Sequence, residues 1–138
     1  MVERPTTVWR DDVAEEAAEV AAGTLDPGEA NAAELFPEEM IAATDEVLAA
    51  FEADVAGLVG HRWEPAGDAE IFQVIERTVK ALNVVNDRYS GAAYETDERE
   101  LLCSYIEDTL DEAGIDVDAF AGRHAITRHQ ITDEWRDW

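Results

Sequence analysis

Residues 68–89 read DAEIFQVIERTVKALNVVNDRY, and this stretch decides the fold of the chain. Its aliphatic and aromatic residues recur at intervals of three and four, the spacing of side chains on one side of an α-helix. They cover more than half of the helix circumference, which predicts a central helix with neighbours on several sides. The apolar positions are Ile71, Phe72, Val74, Ile75, Val79, Leu82, Val84 and Val85.

Three more helices are predicted around the central one, at about residues 12–22, 37–58 and 96–113. Each begins at a capping residue or a proline, and glycine follows each of them. A short helical piece at 118–121 and a tail come next, and no stretch alternates as a strand does. We therefore expect an all-α fold, a compact bundle of four main helices with a short helical C-terminal extension, in a single domain over residues 1–138.

The charge of the chain is far from balanced, with 33 Asp and Glu against 10 Lys and Arg and a formal net charge of -23. The acids are spread along the whole chain, and every cation except Lys80 is Arg. Together with the abundance of alanine, this composition resembles that of cytoplasmic proteins of extreme halophiles. Salt screens like charges, since the Debye length falls from about 8 Å at physiological ionic strength to about 3 Å at 1 M. We expect the fold to loosen in dilute buffer.

The same composition limits location and partners. The chain starts without a basic region leading into an apolar run, and no stretch approaches the ~20 apolar residues of a membrane span. We therefore expect a protein of a high-salt cytoplasm with no membrane role. Ten cations dispersed among 33 acids cannot form a continuous basic footprint, so nucleic acid is an unfavourable partner. Cys103 is the single cysteine, which excludes an intrachain disulfide and favours a small core residue.

Two asparagines near the end of the central helix form the most unusual polar feature. Asn83 and Asn86 lie three residues apart beside the apolar positions, and Asn is a poor helix former. Buried amides need hydrogen-bond partners, so one interpretation is a clamp between the helix and the following loop, with Arg99 or Glu100 taking part. The other interpretation is a ligand pocket lined by Asn83, Asn86, Asp87 and Arg99. The structural interpretation is favoured, and both are kept open.

A short basic stretch stands out in this acidic chain, with Arg123, His124, Arg128 and His129 within seven residues. In a helix, His129 and Asp133 would share a face and could both ligate a divalent metal. Two ligands do not make a site, and the spacing of di-iron bundles is absent, so no metal and no cofactor are predicted. We expect these cations to pair with acidic helix faces and to fasten the tail, and they are also candidates for partner contact.

Four tryptophans are costly residues in an alanine-rich chain. Trp135 and Trp138 lie in the tail, Trp9 near the start and Trp63 in a loop. One interpretation is that they seal a thinly packed bundle. The alternative is an exposed aromatic surface that anchors a protein partner, with Trp135 and Trp138 as the candidates.

The sequence contains no phosphate loop, nucleophile elbow or calcium loop. The composition and the candidate residues described above leave three classes of function open. The favoured one is a non-enzymatic protein-interaction or regulatory module, which would bind a protein partner or itself. The second is a small enzyme or ligand-binding protein that uses the asparagine pocket, although an enzyme is disfavoured. The third is an antitoxin or immunity-like inhibitor whose acids oppose a basic partner.

Overall fold

The structure is a computed structural model that describes residues 2–60 and 63–138. These residues form helices, turns and loops with no strand, so the all-α prediction is confirmed. Two short 3-10 turns, Pro27–Glu29 and Arg128–Gln130, accompany the α-helices. The α-helices are α1 (Pro5–Ala22), α2 (Ala32–Leu35), α3 (Glu38–Val59), α4 (Asp68–Arg88), α5 (Thr96–Glu112) and α6 (Val117–Arg123).

The three helices α3, α4 and α5 begin and end within two residues of their predicted bounds. Their apolar stripes meet in one core, in which α3 and α4 form the largest contact. The α4 stripe is buried along its length, as the periodicity predicts, except that Phe72 is half-buried and Val84 is 53% exposed. The buried apolar residues of α4 are Ile71, Val74, Ile75, Val79, Leu82 and Val85.

Helix α1 begins seven residues earlier than predicted, at Pro5. Proline suits the first turn of a helix because its φ is already helical and its missing N–H is not needed there. The Asp12 signal that predicted the start therefore lies inside the helix. The end is as predicted, because Gly23 adopts the left-handed conformation with φ 76° and donates its N–H to the Val20 carbonyl.

Only the first turns of α1 pack on the core. The helix runs antiparallel to α3, since Arg4 pairs with Glu52 near the end of α3 and Arg10 pairs with Glu38 at its beginning. Beyond Trp9 no residue of α1 is buried, because α1 continues past the beginning of α3. Residues 24–36 return along it through α2. We call residues 10–36 the N-terminal arm.

The C-terminal part of the chain is longer and better packed than the predicted extension. Helix α6 spans Val117–Arg123 instead of 118–121, and Val117 and Phe120 are fully buried. Ile131 and Trp138, farther along, also enter the core. The segment after α5 is therefore part of the core and not an appendage to four helices.

Candidate functional site

Asn86 holds the loop between α4 and α5. Its side chain is buried, and its Oδ1 accepts hydrogen bonds from the backbone N–H of Ala93 at 2.9 Å and of Tyr94 at 3.3 Å. Both donors are themselves buried. The carbonyl of this amide therefore satisfies two backbone groups that water cannot reach.

Asn83 holds a different segment, the C-terminal tail. Its Nδ2 donates to the Trp135 carbonyl at 2.7 Å, and its Oδ1 accepts from the Asp137 N–H at 3.1 Å. The side-chain amide of Asn83 thus donates one hydrogen bond to the tail backbone and accepts another from it, as a neighbouring backbone segment would. These two hydrogen bonds hold the tail against α4. The two asparagines thus serve two separate backbone segments.

The rest of the predicted polar cluster does not assemble around them. Asp87 and Glu100 are exposed and Arg99 is partly exposed. In the described part of the chain, no hydrogen bond or ion pair connects Asp87, Arg99 or Glu100 to either asparagine. Among the described residues, the five predicted residues are therefore not joined into one polar cluster by hydrogen bonds or ion pairs.

The basic stretch pairs with acidic residues of the bundle in two groups. Arg123 forms a two-pronged pair with Asp68, with both N···O distances at 2.8 Å, and His124 Nε2 lies 2.9 Å from the same carboxylate. These contacts fix α6 to the first residue of α4. The Arg123 hydrogen bonds, reinforced by His124, lower the pKa of Asp68 to about 2.

The second group surrounds a buried carboxylate. Glu107 on α5 is 4% exposed and accepts from Arg128 Nε at 2.9 Å, while His129 Nδ1 lies 3.1 Å from it. Arg128 also pairs with Asp111 and with Asp118, the latter at 3.3 Å. One guanidinium therefore connects α5, α6 and the segment after α6, and the hydrogen bonds to Asp111 and Glu107 raise its pKa.

Among the described residues, no three His, Cys, Asp or Glu side chains come together as a metal site would require. Cys103 is half-buried with its Sγ 3.7 Å from the Thr132 hydroxyl, and burial raises the pKa of its thiol. A thiol with a raised pKa is a poor nucleophile at neutral pH.

Three of the four tryptophans serve the packing of the fold. Trp9 is buried and stacks on Phe36 with ring centroids 5.5 Å apart. Trp138 is buried against Tyr94, and half-buried Trp135 packs edge-on against Phe72. Of the two tail tryptophans considered for partner contact, Trp138 therefore offers almost no free surface.

Trp63 is different, because its side chain is fully exposed. It borders an open groove of about 540 Å³ at the end of α3, which we call the Trp63 groove. A smaller hollow of about 290 Å³ shares Val59 and Ala113 with it, and Val59 is 42% exposed. The apolar residues of the Trp63 groove include Leu58, Val59, Pro65, Ala66, Ile71 and Ile115.

A polar network that the sequence did not indicate joins α1, α3 and α5. Arg4 Nε donates to Glu52 at 2.7 Å and its Nη1 to Asp45 at 3.1 Å, and the buried Thr6 hydroxyl donates to Asp45 at 2.7 Å. The Tyr105 hydroxyl donates to Glu52. The Arg4 hydrogen bond lowers the pKa of Glu52, whereas burial and then Glu52 raise the pKa of Tyr105. Each charged group of the network has a hydrogen-bond or ion-pair partner on another element. The network therefore connects α1, α3 and α5.

None of the described helices is both long and apolar enough to cross a membrane. In comparisons of the whole chain, no protein family, curated protein or solved structure gives a significant match.

Proposed function

We propose that this chain is a protein-interaction module that docks an apolar segment of a partner protein in the Trp63 groove. The observation that carries the proposal is the full exposure of Trp63 in a protein whose other tryptophans pack internally. An exposed indole is costly in water, and tryptophan is among the residues most enriched at the centres of protein interfaces.

The groove beside Trp63 has the form expected of a docking surface. Aliphatic residues form part of its walls, and exposed Val59 connects it to the second hollow along α3. The combined space accommodates several apolar side chains, whereas a small substrate would need convergent polar groups to orient it. The charged residues that the structure describes at the groove are Glu64, Asp116 and Arg123, and Arg123 is already paired with Asp68.

The alternative of an enzyme or ligand-binding protein at the asparagines has less support. The amides of Asn83 and Asn86 that would hold a ligand already bond backbone groups.

We further infer that the module works in the concentrated salt of a cytoplasm. The support is that 33 acids face 10 cations, so most surface carboxylates have no cation to pair with. A compact state with this charge is tolerable only where ions screen it.

The experiment compares the wild-type chain with Trp63→Ala and with Val84→Ala, the matched control. Val84 is also an exposed apolar residue, but it lies on α4 outside the groove. The immobilised chain is exposed to a cell lysate in about 2 M KCl, and the proteins that it retains are identified. Each retained protein is then purified and its affinity for each variant is measured by titration. We expect Trp63→Ala to weaken binding about 30-fold and Val84→Ala to leave it unchanged.

A second copy of the chain is tested in parallel by sedimentation equilibrium. Binding that is insensitive to Trp63→Ala, or the absence of any protein retained through Trp63, would overturn the proposal. Self-association lost in Trp63→Ala would identify a second copy as the partner and retain the groove as the interface.

A further inference from the structure

The N-terminal arm contains a helix face that nothing in the described chain covers. Beyond Trp9, α1 contributes no buried residue, and Val13 and Val20 are only half-buried. A helix of this length gains most of its stability from packing an apolar face on a neighbour. The exposed side of the arm is thus an unpartnered surface, whereas α3, α4 and α5 each bury one face in the core.

The arm is nevertheless held in a defined shape. The Glu16 carboxylate accepts the backbone N–H of Asn31 at 2.5 Å and of Ala32 at 3.0 Å, so it caps the beginning of α2. At the base of the arm, Trp9 and Phe36 stack with an interplanar angle of 3°. The two sides of the arm are therefore fastened at both places, and the space between them is preformed.

A cleft of about 450 Å³ lies between α1 and the returning segment, and we call it the arm cleft. Leu25, Leu35 and Phe36 line its apolar part, and Leu35 is 50% exposed. Carboxylates line the α1 side, where Glu15 and Glu19 lie one helical turn apart.

These carboxylates are not neutralised within the described residues. Glu16 is used by the cap on α2, whereas Asp12, Glu15 and Glu19 pair with no Lys or Arg there. Asp12 and Glu19 are seven positions apart, which places them about 10 Å apart along the helix. The arm cleft therefore combines an apolar floor with a row of negative charge about two turns long.

The charge decides which occupant fits. A second copy with net charge -23 or a nucleic acid would add negative charge to this row, whereas Lys or Arg would neutralise it. In molar salt the Debye length is about 3 Å, so only cations in direct contact keep their attraction. An occupant must then also bury apolar surface on Leu35 to be held in place.

We propose that the arm cleft binds a basic amphipathic helix of a partner protein. Its aliphatic side chains pack on Leu25, Leu35 and Phe36, and its Lys or Arg residues, one turn apart, contact Glu15 and Glu19. This is the helix-in-groove mode of recognition, in which apolar anchors provide affinity and flanking charges provide orientation.

The arm cleft is separate from the Trp63 groove, because the two lie at opposite ends of α3. That helix has 22 residues and is about 33 Å long. The chain can therefore hold two partner segments at once, and loss of binding at one end is distinguishable from loss at the other.

The test uses a synthetic helix of about 18 residues composed of Leu and Lys, with Lys at intervals of three and four. Binding is measured by isothermal titration in about 0.2 M and about 2 M KCl, and its location by amide chemical shifts. Oligolysine of equal charge and spermine are the comparison probes. We expect the Leu/Lys helix to bind in both salts and to shift the amides of residues 12–36.

The variants are Leu35→Ala and the double variant Glu15→Gln/Glu19→Gln. The matched control is Glu46→Gln/Asp108→Asn, which removes two exposed carboxylates elsewhere. We expect each arm variant to weaken the Leu/Lys helix about tenfold, with the control and Trp63→Ala within about twofold of wild type. Circular dichroism of each variant establishes that it is folded.

Several results would overturn the proposal. If oligolysine or spermine bound as tightly as the Leu/Lys helix, the binding would be attributed to counter-ion condensation alone. If the control variant Glu46→Gln/Asp108→Asn weakened binding as much as the arm variants, the binding would not be specific to the arm cleft. Dimerisation of the chain that Leu35→Ala abolishes would assign the arm cleft to a second copy instead of a basic helix.

Discussion

Replacement of Asn86 by leucine tests the interpretation of this residue as a clamp. The amide is 2% exposed and accepts the N–H groups of Ala93 and Tyr94, which leucine of similar volume cannot do. A buried N–H left without an acceptor costs about 1–3 kcal/mol, so two of them cost about 2–6 kcal/mol. Because the loop relaxes in part, we expect a loss of about 3 kcal/mol from a stability of about 5–15 kcal/mol.

The loss is measured by urea unfolding in about 2 M KCl and by thermal melting. For 138 residues the unfolding entropy is about 0.3 kcal/mol/K, so a loss of about 3 kcal/mol lowers the Tm by about 10 °C. The control is Asp87→Ala, which changes the exposed neighbour and should stay within about 0.5 kcal/mol of wild type. An Asn86→Leu chain as stable as the control would refute the clamp and return Asn86 to the candidates for ligand binding.

Three further predictions concern charge. Arg128→Gln leaves the buried Glu107 carboxylate with His129 as its remaining partner, and should lower the free energy of unfolding in urea by about 3 kcal/mol. Arg77→Gln removes an exposed ion pair and should lower it by less than about 0.5 kcal/mol. Equal losses in the two variants would contradict the distinction between buried and exposed pairs. The lowered pKa of Asp68 means that its ion pair stabilises the fold fully above the unfolded pKa of about 3.9 and loses this effect as the pH falls towards about 2. Asp68→Asn should therefore flatten the acid-unfolding curve between these values, and an unchanged curve would count against the pair. The wild-type melting midpoint, followed by circular dichroism, should be higher in about 2 M than in about 0.1 M KCl, and the opposite order would dismiss the halophilic interpretation.

Helical periodicity predicted the central helices because their stripes are long and aliphatic. Residues 68–89 contain enough apolar positions for the pattern to survive one exposed residue, Val84. Helix α1 has no such stripe beyond Trp9, and the Asp12 capping pattern predicts a start that is wrong by seven residues. Pro5, which favours the first turn of a helix, marks the start that the structure shows.

The C-terminal segment was underestimated for a related reason. Its buried residues, such as Val117, Phe120 and Ile131, are far apart in the sequence and do not repeat at a fixed interval. Their burial depends on the surface that α5 and α4 present, which periodicity within the segment cannot express.

The candidate site residues show the same limit. Local composition singled out Asn83 and Asn86 as residues that need hydrogen-bond partners, but it could not name the partners, which are Trp135 and Ala93. The Arg4 network was missed entirely, because Arg4 and Glu52 are 48 positions apart. The sequence also offers no signal that separates exposed Trp63 from the three packed tryptophans.

The few cations of the chain are placed mainly where elements meet. Arg4 ties α1 to α3, Arg77 ties α4 to α3, Arg123 ties α6 to α4, and Arg128 ties the last segment to α5. These contacts lie within 3 Å, inside the Debye length of even molar salt, whereas repulsion among unpaired carboxylates acts over longer distances. Added salt therefore removes repulsion faster than it removes these attractions. A chain with 33 acids and 10 cations can then keep a defined fold, provided that its cations stand between elements and not along single helices.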